Sequence, residues 1–303
     1  MTSIVAALGL ALCPASASDG VDVEEVLQQA AIEVLESMGR AVAEAPALRC
    51  ATKVHVQSPG RDQEIVVQSR FGPDGACEVR SDTSRVVCVS GVLNMVDENI
   101  HDRYIQIPVG ERVSDGIAQV FGDREMAGFE MLMRDGYGPE VWLEPLLMRA
   151  VGSPVPVGLR RQRAASGQEI IHIELSGQRG RGSVDIDAAT RLLVGASAIM
   201  EITPEAGADP IQWKMDLTTE SEVVDALDRP IQFDPGTRVP VTSRADLDPI
   251  ARNRVQVGQV APSLKAQDLD GVTTDLEALQ GQPVILCFWT SWAQASARCM
   301  PQL

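Results

Sequence analysis

The cysteines are the first side chains in this sequence that could do chemistry. Thiol–disulfide exchange needs two thiols: one attacks a disulfide sulfur as the thiolate, and the second resolves the mixed disulfide. Cys77 and Cys88 flank Asp82-Thr83. If those two residues form a two-residue hairpin loop, the cysteines face each other at a distance that fits a disulfide. Two small buried apolar side chains would fit the same pattern, and both alternatives stay open.

Other candidate chemistry is sparse. His55, His101 and His172 are scattered and lack metal-ligand spacing, so we expect each to be structural or solvated. No Ser-His-Asp arrangement can be defended from the sequence. We therefore predict no metal, no cofactor and no hydrolytic site.

Length and charge narrow the class of protein. The chain has 303 residues, which is room for about two domains. Its net charge is −16 and its pI about 4.6. Nucleic acid and anionic membrane surfaces both need clustered Lys and Arg, and no such cluster is seen. We expect no nucleic-acid partner.

Residues 1–18 are typical of a cleaved secretory signal. Ile4 to Leu12 is a short apolar run, and small residues follow at Ala15 to Ser18, with cleavage expected after Ala17 or Ser18. No Lys or Arg precedes the run, which is atypical. Cys13 could mark a lipid anchor, but the large Leu12 before it disfavours one. We predict a periplasmic or otherwise extracytoplasmic protein with no transmembrane segment and an odd number of mature cysteines.

Hydrophobic periodicity predicts the elements that position these residues. Val21 to Ala45 has apolar residues at helical spacing and Pro46 after it. Ser114 to Ala150 is again helical in pattern. Period-two segments predict the following strands: Lys53–Val56, Glu64–Gln68, Cys77–Arg80, Arg85–Val89, Arg103–Ile107, Glu169–Leu175, Ser183–Ile186, Leu192–Ile202 and Ile211–Thr218.

The order of these elements and three local phrases resemble LolA-like envelope domains. The phrases are Arg103-Tyr104-Ile105-Gln106-Ile107-Pro108, Ser183 to Thr190 and Ile231-Gln232-Phe233-Asp234-Pro235. The resemblance covers residues from about 23 to 247, and we place the domain at 21–245. It implies an α+β fold in which a curved antiparallel sheet wraps helices. It further implies an apolar concave face that binds a lipid or a lipoprotein.

The C-terminal segment, residues 257–303, follows a polar linker at 246–256 and resembles the start of TlpA-like and AhpC/TSA (redoxin) thioredoxin-fold proteins. Val257-Gly258 with Ala261-Pro262, then Leu279-Gln280-Gly281-Gln282-Pro283 and the strand into Phe288-Trp289, occur in the expected order. Trp292 and Met300-Pro301 fix the register. By this alignment Ala293 and Ser296 occupy the two positions of the redox Cys-x-x-Cys pair.

The resemblance therefore implies a thioredoxin-like module without its catalytic pair. Ala293 has no nucleophile, and the Ser296 hydroxyl cannot form a disulfide. Cys299 lies about one turn further along the predicted helix and is a weak redox candidate, the alternative being a free thiol. Cys287 is expected to be inert packing. Since later strands of such a fold would follow Leu303, we expect a fragment or a shortened gene end.

Two functions follow as hypotheses, beside the alternative of a structural envelope protein with no small ligand. The first is an envelope protein that binds a hydrophobic ligand or lipoprotein, joined to a redox-inactive module. The second is a thiol–disulfide oxidoreductase or peroxiredoxin-type protein with an envelope redox partner, as the C-terminal resemblance implies.

Overall fold

The computed structural model describes residues 23–123, 127–202, 210–247, 264–267 and 273–279, together with the single positions 281, 284 and 286. The chain divides into two compact units, Met1–Asp248 and Pro249–Leu303. The predicted signal at 1–18 and nearly all of the predicted linker lie outside the described residues. Asp246 and Leu247, predicted to begin the linker, instead end a short helix.

The first unit contains five described helices and twelve described strands. The helices are α1 (Val23–Ala43), α2 (Val113–Phe121), α3 (Phe129–Arg134), α4 (Pro139–Leu146) and α5 (Arg244–Leu247). The strands are β1 (Ala47–Ser58), β2 (Arg61–Phe71), β3 (Cys77–Arg80), β4 (Ser84–Val89), β5 (Val92–Asp97), β6 (Arg103–Pro108), β7 (Val155–Arg163), β8 (Glu169–Ser176), β9 (Gly180–Asp187), β10 (Leu193–Ile202), β11 (Ile211–Val224) and β12 (Val239–Val241).

All twelve strands form one large curved sheet, in the order β12-β6-β5-β4-β3-β2-β1-β11-β10-β9-β8-β7. Two meanders, β1 to β6 and β7 to β11, are joined where β1 pairs with β11. Every described pairing is antiparallel except that of β12 with β6. Register shifts at Pro156/Gly158 and Leu193/Gly195 bend the strands that contain them. The predicted large antiparallel sheet with few helices is confirmed.

Helix α1 forms because its apolar residues recur every three or four positions and Pro46 follows it. Leu35, Met38 and Val42 are buried in a core that also takes side chains from the inner face of the sheet and from α2 to α4. The core therefore lies between the sheet and the helices.

The second unit is described only in part. Strands β13 (Lys265–Gln267) and β14 (Thr273–Asp275) pair antiparallel, and a 3-10 turn (Leu276–Leu279) follows. Lys265 Nζ lies 3.4 Å from Asp275 Oδ2. None of the described helices, in either unit, is both long and apolar enough to cross a membrane.

Candidate functional site

An arginine-rimmed cleft lies between α1 and the strands β7 and β8. Its volume is about 110 Å³. Its walls are mainly apolar, because Val34 of α1 faces Leu159 of β7 and the buried Ile171 of β8 across it. The residues that line it are Ala30, Glu33, Val34, Ser37, Leu159, Arg160, Arg161, Ile171 and Arg191.

An apolar stripe on α1 leads into this cleft. Val23, Val26 and Leu27 are 71%, 48% and 43% exposed, although all three are large and apolar. Together with Ala30 and Val34 they follow the spacing i, i+3, i+4, i+7 and i+11, which places all five on one face of the helix. The first turns of α1 thus present apolar surface that extends the cleft toward the helix N-terminus.

The cations at the rim differ in their partners. Arg160 pairs with Glu174, and Arg161 Nη1 lies 3.3 Å from Glu169 Oε1. The half-buried Arg191 forms no ion pair with another described residue. Among the described side chains, Arg191 is therefore the rim cation that has no carboxylate partner.

A turn built on Asp187 positions Arg191. Asp187 Oδ1 accepts hydrogen bonds from the backbone N–H groups of Ala189 and Thr190, and from Thr190 Oγ1 at 3.0 Å. Although burial acts in the opposite direction, the hydrogen bonds from Thr190 hold the pKa of Asp187 below its ordinary value. The turn ends at Arg191, whose φ of +62° is left-handed.

A second cavity, the Glu130 cavity, lies between α3 and strands β1 to β3. Its volume is about 130 Å³, and Val54, Val67, Val79 and Met131 give it apolar walls. Glu130 lines it as well and is buried.

Hydroxyl groups of the sheet hold the Glu130 carboxyl. Thr52 Oγ1 donates to Oε1 at 2.9 Å, and Ser69 Oγ donates to Oε2. Thr52 Oγ1 also lies 2.9 Å from Thr219 Oγ1. Burial raises the pKa of Glu130, and the hydrogen bonds from Ser69 and Thr52 oppose the shift without cancelling it. No described cation pairs with this carboxyl, so its neutral form is favoured.

The β3–β4 hairpin brings the predicted cysteine pair together. Cys77 and Cys88 are register partners and both are buried. They are free thiols joined by a hydrogen bond, which together with burial raises the pKa of Cys77. The facing arrangement agrees with the hairpin geometry expected from Asp82-Thr83, and the disulfide itself stays a prediction.

The other predicted site residues fall in different places. Ala293, Ser296, Cys299 and Cys287 lie outside the described residues, so the thioredoxin-like interpretation of this segment stays a prediction. The three histidines are dispersed, and in the described part of the chain no group of three or more His, Cys, Asp or Glu could hold a metal ion. His172 Nδ1 lies 2.6 Å from Asp185 Oδ1 on the sheet.

Sequence reasoning missed Arg191, Glu130 and Cys50. Burial and the nearby Glu130 raise the pKa of Cys50 to about 12, which makes it an unreactive thiol. The alternation of side chains along β1 puts Cys50 and Thr52 on one face of the sheet. That was the only sequence signal for part of the group formed by Cys50, Thr52 and Glu130.

The chain was compared with known proteins. No protein-family model matches it, and no curated protein matches it. Solved structures similar to it include a LolA superfamily protein from Nitrosomonas europaea, at 10% identity, covering 65% of this chain and 94% of that one, with a TM-score of 0.25. LprF from Mycobacterium bovis has 10% identity, coverages of 63% and 92%, and a TM-score of 0.31. The lipoprotein LppX from Mycobacterium tuberculosis has 9% identity, coverages of 63% and 94%, and a TM-score of 0.30.

Proposed function

We propose that the first unit binds the apolar chain of an acidic amphiphile, such as a fatty acid or the acyl chain of a lipidated partner. The observation that carries the proposal is the exposed apolar stripe of α1 that leads into the arginine-rimmed cleft. Contiguous apolar surface is uncommon on a monomer and marks binding sites. An extended acyl chain matches a stripe that follows the helix axis from Val23 to Val34.

The rim supplies a partner for an acidic head group. Arg191 lies at the cleft without an ion-pair partner among the described residues, in a chain whose net charge is −16. A guanidinium can donate two parallel hydrogen bonds to a carboxylate or phosphate. The apolar chain would then lie along Val34, Ala30 and Leu27, with the acid at Arg191.

The LolA-like resemblance of the sequence implies the same class of ligand, and the predicted signal implies an extracytoplasmic location where lipidated partners occur. The oxidoreductase hypothesis gains no support from the described residues, because the positions it depends on lie outside them. We therefore advance the binding function alone.

Chain length gives the first test. Each buried methylene contributes about 0.8 kcal/mol, so affinity should rise about fourfold per methylene until the stripe is filled. Displacement of a fluorescent fatty-acid probe by saturated acids of increasing length measures this, and native mass spectrometry reports the stoichiometry. An affinity that does not depend on chain length, or no uptake of the probe, would remove the proposal.

Arg191→Gln tests the head group. We expect about tenfold weaker binding of a fatty acid, the loss typical of a charge-assisted hydrogen bond, and no change for the fatty alcohol of equal length. Arg163→Gln, an exposed arginine elsewhere on β7, is the matched control. Leu27→Asp, at an exposed position, should shorten the length at which affinity stops rising. If Arg191→Gln weakens acid and alcohol alike, Arg191 is not the head-group residue.

A further inference from the structure

A second cleft lies on another flank of α1, away from the arginine-rimmed cleft. We call it the Gly39–Trp142 cleft; its volume is about 410 Å³. One wall is the last part of α1 and the other is the loop from Gly136 into α4. The residues that line it are Glu36, Gly39, Arg40, Ala43, Gly136, Tyr137, Gly138, Pro139, Glu140 and Trp142.

The floor of this cleft carries an unpaired donor. Trp142 is 0% exposed, and its Nε1–H has no hydrogen-bond partner among the described residues. A buried N–H without an acceptor costs about 1–3 kcal/mol, so such groups are rare unless something else satisfies them. The neutral indole donates only, which means that the missing partner is an acceptor.

Gly39 shows where that N–H points. A Cβ atom built on Gly39 would lie 3.4 Å from Trp142 Nε1, and its next nearest atoms are the adjoining indole carbons. The indole edge with Nε1 therefore meets α1 at a residue that has no side chain. Gly39 and Trp142 both line the cleft, so its floor lies beside the indole edge that carries the N–H.

The charged side chains around the floor also have no partner in the part of the chain that the structure describes. The side chains of Glu36, Arg40 and Glu140 are exposed, and none forms a hydrogen bond or ion pair with another described residue. The N-terminus of α4 faces the same cleft, and no side chain caps it at Gly138. A helix N-terminus and an arginine both favour an anionic oxygen, whereas two carboxylates favour a cation.

We propose that the Gly39–Trp142 cleft binds a small zwitterion, with an ammonium group next to a phosphate or carboxylate. The oxyanion accepts from Trp142 Nε1–H and Arg40, and it lies at the N-terminus of α4, where the helix dipole favours an anion. The ammonium lies between Glu36 and Glu140. A simple anion would meet two carboxylates and a simple amine would meet Arg40, so neither half alone matches the site. This site is separate from the acyl-chain cleft and does not depend on that function.

The indole N–H of Trp142 reports binding directly. The full chain has four tryptophans, so ¹⁵N-indole labelling gives four resonances, and Trp142→Phe assigns the one of interest. Titration with phosphoethanolamine should shift the Trp142 resonance saturably. Inorganic phosphate and ethanolamine, each added alone, should bind at least about tenfold more weakly, since each loses one charged contact.

Three variants sharpen the result. Arg40→Gln should weaken the binding of phosphoethanolamine about tenfold and leave fatty-acid binding unchanged. Arg80 is an exposed arginine on β3, and Arg80→Gln should change neither affinity. Gly39→Ala should abolish the shift because its methyl covers Nε1, without lowering the melting temperature, since alanine favours helix over glycine.

Short-chain lysophosphatidylethanolamine carries the same group on a lipid. Binding tighter than that of phosphoethanolamine indicates a lipid head group as the source, and equal binding indicates a free solute; both support the zwitterion site. The proposal is overturned if neither probe shifts the Trp142 resonance at millimolar concentration. It is equally overturned if inorganic phosphate alone binds as tightly, or if Arg40→Gln has no effect.

Discussion

Replacing Arg134 with methionine should lower the free energy of unfolding by about 3 kcal/mol, among the largest single effects expected in this chain. The Arg134 guanidinium donates to the carbonyl oxygens of Val42 (2.9 Å), Ala43 (3.2 Å) and Ala45 at the end of α1. It also donates to Gly72 O at 3.1 Å. Methionine keeps much of the apolar stem but leaves these acceptors without their donor.

The position of Arg134 explains the size of the effect. The last carbonyl groups of a helix lack partners within the helix and carry partial negative charge. Arg134 satisfies several of them at once and ties α1 and α3 to the segment after β2. Burial lowers the pKa of this arginine, yet the group remains charged because an arginine pKa starts so high.

Urea unfolding followed by circular dichroism measures the loss. Arg134→Lys should give an intermediate value, because an ammonium keeps the charge but cannot reach four carbonyl oxygens in a fork geometry. Arg80→Met, at an exposed position on β3, should stay within about 0.5 kcal/mol of the wild type. A loss for Arg134→Met no larger than that of Arg80→Met would contradict the role assigned to this side chain.

Glu130→Gln should change the pH dependence of stability. Burial raises the pKa of Glu130, whereas in the unfolded chain a Glu ionises near its ordinary value of 4.5. The folded state therefore holds the proton more tightly than the unfolded state. The stabilisation from this proton is fully present below pH 4.5 and is lost as the pH rises through the folded pKa.

Glutamine does not titrate, so the variant lacks this loss. At pH 4 we expect Glu130→Gln to be less stable than the wild type by about 1 kcal/mol, because an amide cannot reproduce the carboxyl's hydrogen bonds. As the pH rises above 4.5 the wild type should lose stability relative to the variant, because the unfolded chain gives up the Glu130 proton before the folded state does.

Asp187→Asn is the control of opposite sign. Hydrogen bonds hold the pKa of Asp187 low despite burial, so its stabilisation is present above the unfolded pKa and is lost as the pH falls. Urea titrations of the wild type and both variants at pH 3, 4, 6 and 8 test the pair, with the Asp187 effect expected at pH 3 and the Glu130 effect above pH 4. Parallel pH curves for the wild type and Glu130→Gln would show that Glu130 does not titrate in this range.

The sequence allowed α1 and most of the strands to be predicted, because their apolar periodicity is strong. Three strands of the first unit were missed: the three-residue edge strand β12, and β5 and β7. β5 is buried at four successive positions, Leu93 to Val96, so its pattern does not alternate. β7 lies at the edge of the sheet, so water takes the place of a second neighbouring strand. Its last four residues are all exposed and polar, so they do not show the alternation that marks a strand.

The sites were harder to predict than the fold. Glu130 contacts Thr52 and Ser69 across 78 and 61 residues of sequence, and nothing near Glu130 in the chain indicates those partners. Trp142 lies within the segment Ser114 to Ala150, whose helical pattern carries no information on whether the indole N–H has a partner. The zwitterion site depends on Gly39 and Arg40, which look unremarkable in a helical pattern.

The pairing of β1 with β11 has a consequence for how the chain folds. Leu48, near the start of β1, pairs with Val223, near the end of β11, so almost the whole first unit lies between them in sequence. Closing so long a loop costs entropy before the contact gives any stability, and folds with distant pairings form slowly. During synthesis β1 can pair with β2 early, but its other edge stays open until β11 is made. We therefore expect the sheet to be completed late, with β1 exposed as an edge strand until then.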